Sequence, residues 1–149
     1  MTHPAGQVAR RINSAGFTSL MHLVVAVRPL SFTATLPGIP SSVPIARRLV
    51  RDALPGCPRA YDLILAVREL ATNGITHSAS GHGGTFTVRV RTAPCWARVE
   101  VADEGPTGGP PSPRNGWGLA IVREVTDRAA AVIQPGGGRT AWCEVTWPA

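Results

Sequence analysis

The chain has 149 residues, 44% of them apolar, and a formal net charge of +6, which suits one domain with its own core and leaves little room for a second. Every one of its 15 cationic residues is an arginine. Without lysine there can be no phosphate loop of the GxxxxGK(S/T) type, no protein-kinase catalytic domain built on a strand lysine, and no Schiff-base chemistry.

Taken in chain order, the first landmark is "LMHLVVAV" (20–27), an apolar run well short of the roughly 20 residues a membrane span needs. It follows Arg10 and Arg11 as a secretory leader would, but lacks a convincing small-residue cleavage site. Residues 1–28 are expected to form a poorly ordered extension, with an extra strand as the alternative, and residues 29–149 the domain. "SFTATLPG" (31–38) alternates as a strand and is stopped by Pro37 and Gly38. A helix is expected within 39–54, capped by Ser41 or Ser42, with Val43, Ile45, Leu49, Val50 and Ala53 or Leu54 inward. A second helix runs from about Arg59 to His77. At 100° per residue, Asp62, Glu69, Asn73 and Thr76 fall on one stripe, opposite Leu63, Ile64, Val67, Leu70, Ala71 and Ile75.

"TFTVRVRT" (85–92) and "CWARVEVADEG" (95–105) both alternate with period two and are joined by a short link containing Pro94, so they read as a hairpin. After the Pro- and Gly-rich loop 106–116, "WGLAIVREVTDRA" (117–129) reads as a helix with Leu119, Val122 and Val125 or Thr126 inward. Residues 130–135 and 139–147 flank "GGG" as a closing hairpin. Strand pairs with tight turns imply a mixed, mostly antiparallel sheet. Three helices on one face make an α+β two-layer sandwich.

The arginines are scattered in runs no longer than two and aromatic residues are few, which argues against a nucleic-acid surface. Cys57, Cys95 and Cys143 are odd in number and lack a CxxC pair, which fits a reducing, cytoplasmic setting.

Four short patterns carry the chemistry. Glu69-x-x-x-Asn73 lines one helix stripe. An asparagine oxygen is a hard neutral ligand suited to Mg2+, and a glutamate one turn earlier can receive a proton. Asp103 ends a hydrophobic strand, where a carboxylate can accept from an exocyclic amine such as that of adenine; Gly105 lets a ring approach the backbone. Gly116-x-Gly118-Leu119 opens a helix, where unpaired N–H groups favour an anion. Thr140 opens the last strand with a small hydroxyl. A solvated helix face, a plain turn, an ordinary N-cap and a strand threonine would account for each taken singly. Their order along one chain is the stronger signal.

That ordered set resembles the GHKL ATPases, the group of histidine-kinase catalytic domains, gyrase-type ATPases and bacterial anti-sigma factors. "ELATNGITH" is similar to their N-box, "DEG" to the G1 box, "GWGLAIV" to the G2 box and "GGRTAWCEV" to the last, threonine-bearing box. The likeness covers about residues 31–147 and is greatest to the small anti-sigma-factor serine kinases. It implies the Bergerat fold and a site for ATP and Mg2+. Asn73 would hold the metal and Glu69 would be the general base. Asp103 would read the adenine amine, with Gly105 beneath the ring. Gly116, Gly118 and Leu119 would hold lid and phosphates, and Thr140 would assist at adenine. Arg114 is a further candidate for a phosphate contact.

Two departures stand out. Thr107 occupies the place of the usual second G1-box glycine, which bears on the lid, and Gly74 stands where alanine is common. The expected function is a regulatory kinase that phosphorylates an anti-sigma-factor antagonist and controls a sigma factor, without contacting nucleic acid or membrane, with a homodimer among the expected partners. The alternatives are a catalytically silent ATP-binding module and a stand-alone histidine-kinase catalytic domain, the latter disfavoured by the short 106–115 loop.

Overall fold

In a computed structural model the described residues are 30–107 and 117–149. Strand β1 (Leu30–Pro37) leads into helices α1 (Ser42–Asp52) and α2 (Ala60–Thr76) and a short 3-10 turn (Ala79–Gly81). Strands β2 (Thr85–Ala93) and β3 (Trp96–Asp103), helix α3 (Trp117–Val125) and strands β4 (Arg128–Ile133) and β5 (Arg139–Thr146) follow. The five strands form one sheet in the order β1-β2-β3-β5-β4, and every neighbouring pair is antiparallel. The sheet is therefore antiparallel throughout, not mixed.

Period-two alternation sorts the strands. Phe86, Val88 and Val90 of β2, Ala97, Val99 and Val101 of β3, and Ala141, Cys143 and Val145 of β5 are buried against the helices. Leu63, Ile64, Ala66, Val67, Leu70 and Ala71 of α2 meet them from above, with Val122 of α3 and Ala46 and Val50 of α1. Burial of each larger aliphatic chain is worth about 1.5–3 kcal/mol. Among the described residues no helix covers the opposite face of the sheet. There Glu100 accepts from Arg89, Arg91 and Arg98, Glu144 accepts from Arg98, and the Arg98 guanidinium lies 4.0 Å from the Trp142 ring centroid.

The first helix differs from expectation. Its inward face is Ser42, Ala46 and Val50, spaced by four, while Ile45 is 48% exposed. Small side chains at 42 and 46 let α1 lie close to its neighbours, and that spacing turns Ile45 outward. Ser41 is the N-cap residue but makes no side-chain cap hydrogen bond, and Ser42 is buried inside the first turn. β4 begins at Arg128, so α3 is four residues shorter than its apolar pattern suggests. Its last turn closes with Thr126, whose hydroxyl donates to the Val122 carbonyl at 2.6 Å.

Candidate nucleotide site

Glu69 and Asn73 are half-buried on the polar stripe of α2, one turn apart. His77 is the C-cap of that helix, and its backbone N–H donates to the Asn73 carbonyl at 2.9 Å. His77 therefore ends the helix.

The chain then tightens into a turn that the sequence does not advertise. Ser78 and Ser80 are both buried. The Ser78 hydroxyl donates to the Gly74 carbonyl and accepts from the Ser80 N–H at 3.1 Å. The Ser80 hydroxyl accepts from Glu104 N–H at 2.9 Å, and Ala79 N–H donates to the Gly105 carbonyl at 2.9 Å. Ser78 also forms an isolated bridge with Pro106. The end of α2 and the Asp103–Pro106 turn are thus fastened to each other by the Ser80–Glu104 and Ala79–Gly105 hydrogen bonds and the Ser78–Pro106 bridge. "SASGHGG" had only the look of a helix stop; the serines at 78 and 80 were the available signal for more.

Asp103 is buried at the end of β3. Its Oδ1 accepts from Gly105 N–H at 2.9 Å, which closes a local turn. Gly105 has φ +89°, and a Cβ there would overlap the Gly137 carbonyl oxygen. Only glycine fits that backbone without strain. The G1 turn and the β4–β5 turn therefore touch at residues 105 and 137.

The structure does not bring Thr140 to Asp103. In the β3–β5 register Asp103 pairs with Arg139, whereas Thr140 pairs with Ala102. Successive residues on a strand point to opposite faces, so Thr140 lies on the open face, where its hydroxyl meets Gln134 Nε2 at 3.3 Å. Arg139 takes the inner place. Its Nη2 and Nε donate to Asp103 Oδ2 at 2.7 and 3.0 Å, and Nη2 reaches the Asn73 carbonyl at 3.4 Å. One guanidinium thus joins the Asn73 backbone carbonyl of α2 to Asp103 of β3 from its own place on β5.

Helix α3 is oriented by its far end. Arg59, at the start of α2, donates to the Val125 carbonyl at 3.0 Å, which sets the C-terminus of α3 beside the N-terminus of α2. Leu119 is partly buried against the core. Gly116 and Arg114 lie outside the described residues, as does the extension 1–28. Thr107 is exposed at the start of that segment.

A family model for the histidine kinase-like ATPase domain matches residues 32–142. The chain belongs to that family. Two solved structures share the fold of this ATPase domain. The crystal structure of the RsbU and RsbW domains of Rv1364c from Mycobacterium tuberculosis is 23% identical, with a TM-score of 0.62 over 83% of this chain. The chain spans 34% of that protein's length. A chain of the SiaB–SiaC complex from Pseudomonas aeruginosa is 12% identical, with a TM-score of 0.60; the match covers 88% of this chain and 98% of that one. No curated protein sequence is significantly similar.

Membership of an ATPase domain family implies ATP binding, and the residues fit it. The Asp103 carboxylate has about four lone-pair sites and uses three in the bonds above, so one acceptor site remains. Among the described residues no group of three or more His, Cys, Asp or Glu is placed to hold a metal ion. An ion beside Asn73 would take most of its ligands from phosphate and water, which is the habit of Mg2+. Burial pushes the Cys143 thiol up to about 12 and also raises Cys57, so neither is held as a ready thiolate. Among the described residues no helix is long and apolar enough to cross a membrane.

Proposed function

We propose that the chain is a cytoplasmic, Mg-ATP-dependent serine/threonine protein kinase of the anti-sigma-factor type. Its substrate would be an antagonist protein whose phosphorylation leaves a sigma factor under the kinase's control. The observation that carries the reading is the meeting of Asn73 and Asp103 through Arg139, with Glu69 one turn back on the same stripe. Asp103 would accept from the adenine amine, and Gly105 would lie beneath the ring. Gly116, Gly118 and Leu119, at the opening of α3, would receive the phosphates on unpaired backbone N–H groups. Bound through Asn73, Mg2+ would supply charge neutralisation on the phosphates. Glu69 would take the proton of the attacking serine hydroxyl. Similarity of fold to a chain of the SiaB–SiaC complex supports a protein partner.

Calorimetry with ATP and Mg2+ on the native chain and on Asn73→Ala tests the site: binding should be lost or weakened at least about tenfold in the variant. Labelled ATP with candidate antagonists from the same genome tests the chemistry, with Glu69→Gln keeping ATP binding and losing transfer. Tight ATP binding with no transfer by the native chain would leave a catalytically silent module in which the nucleotide shapes a partner surface.

A further inference from the structure

Arg139 touches two residues of the proposed site, the Asp103 carboxylate and the Asn73 backbone carbonyl. Arg139 is turned to the helix side of the sheet, at a strand start where Ala141, Cys143 and Val145 continue the same face into the core. Its partner is nearly closed off: the Asp103 side chain is 2% exposed and that of Arg139 22%. Both donors of Arg139 fall on the same oxygen, Oδ2. Oδ1 meanwhile accepts only the Gly105 N–H among the described residues. The carboxylate is therefore held at Oδ2, while Oδ1 keeps one acceptor position unused among the described residues.

We propose that Arg139 is the positioning residue that sets base specificity in the nucleotide site. It rests on the reading that Asp103 receives the base amine. By occupying Oδ2, Arg139 fixes the rotation of the carboxylate and leaves one acceptor position, on Oδ1. A 6-amino purine supplies a donor to that position. A 6-oxo purine presents an oxygen to it, and two acceptors face each other. The reach of Nη2 to the Asn73 carbonyl ties the same guanidinium to the turn of α2 that carries the phosphate-end ligand. Base end and metal end are thereby kept in one register.

The alternative is that the pair merely braces β3 against β5, and the two roles separate by experiment. The full chain and its Arg139→Gln and Arg139→Lys variants are titrated with ATP and with inosine triphosphate, each with Mg2+, and their urea midpoints are measured in parallel. The native chain should prefer ATP by about 100-fold or more, as expected of a site built around one donor. Arg139→Gln should reduce that preference at least tenfold, because the carboxylate is free to turn. Arg139→Lys, which can still donate to Oδ2, should restore most of it. An unchanged ATP-to-inosine triphosphate ratio in a folded Arg139→Gln variant overturns the role, whatever happens to the midpoint. If Arg139→Gln does not fold, a folded Arg139→Lys carries the test, because loss of the preference there also overturns it. A native chain that binds neither nucleotide overturns the reading of the site itself, and one that binds both equally overturns the specificity role alone.

Discussion

Replacing Gly105 by alanine should separate two effects that a glycine can hide. The backbone at Gly105 has φ +89°, and at Gly83 it has φ +88°. An alanine costs about 1–2 kcal/mol in either place from the left-handed backbone alone. The surroundings differ. Nothing lies within 4 Å of a Cβ built on Gly83, whereas one built on Gly105 would overlap the Gly137 carbonyl oxygen. Relief at Gly105 requires the G1 turn and the β4–β5 turn to part. That strains the bonds from Gly105 N–H to Asp103 Oδ1 and from Ala79 N–H to the Gly105 carbonyl, both 2.9 Å. At about 1 kcal/mol for each hydrogen bond, Gly105→Ala should cost roughly 3–4 kcal/mol against 1–2 for Gly83→Ala. Urea unfolding followed by far-ultraviolet circular dichroism reads the difference. With a slope of about 1–3 kcal/mol per molar urea, it is of the order of 1 M in midpoint. ATP affinity should fall in Gly105→Ala and hold in Gly83→Ala. Equal destabilisation in the two variants would refute the close approach of residues 105 and 137 as the reason for glycine there.

Gly74→Ala should stabilise the domain by up to about 1 kcal/mol, since α2 gains a better helix former. The new methyl would meet Asp103 Cβ and Oδ2 at 3.4 Å, an ordinary contact; a lowered melting temperature would count against this. Arg59→Ala should cost about 1–2 kcal/mol by urea titration. It removes hydrogen bonds to Asp62, Asp127 and the carbonyls of Val125 and Thr146, which pin the start of α2 to the α3–β4 turn and the end of β5. Acid should destabilise the chain through two carboxylates. Asp127 is lowered by the Arg59 hydrogen bond and by the Thr146 N–H. In Glu100, burial pushes upward, but the Arg91 hydrogen bond and the charges of Arg98 and Arg91 more than offset it, so it too is lowered. A depressed folded value means that the unfolded chain takes up the proton first. Their stabilisation is therefore full above the ordinary carboxylate range and is lost as pH falls from about 4 through the folded values. Urea midpoints between pH 7 and pH 3 should drop more steeply in the native chain than in Arg59→Ala.

Which parts of this were legible in the sequence follows from what each depends on. Helix α2 and strands β2 and β3 were legible because burial of one face imposes a local period, and Leu63 to Leu70 or Phe86 to Val90 display it without help from any other segment. Asn73 and Asp103 stand out in the sequence as candidate site residues because each polar group stands where an apolar pattern stops or turns away. Ile45 was misplaced because a helix stripe broad enough to include it also includes Ala46, and only the closeness of packing chooses the smaller residue. Thr140 was misplaced for a different reason. Its role was assigned by the chemistry of a hydroxyl, while its direction is fixed by the pairing of β5 with β3, and a one-residue change in parity moves a side chain to the other face. Yet the parity was present in "RTAWCEV": Ala141, Cys143 and Val145 are the apolar members of the alternation, so Arg139 shares their face and Thr140 shares that of Trp142 and Glu144. A guanidinium on the core face of a strand must find a carboxylate or remain costly to bury. Asp103 ends the neighbouring strand with the same parity relative to Val99 and Val101. Alternation on the two strands together with the cost of an unpaired charge therefore points to the Arg139–Asp103 pair, once β3 and β5 are known to be neighbours.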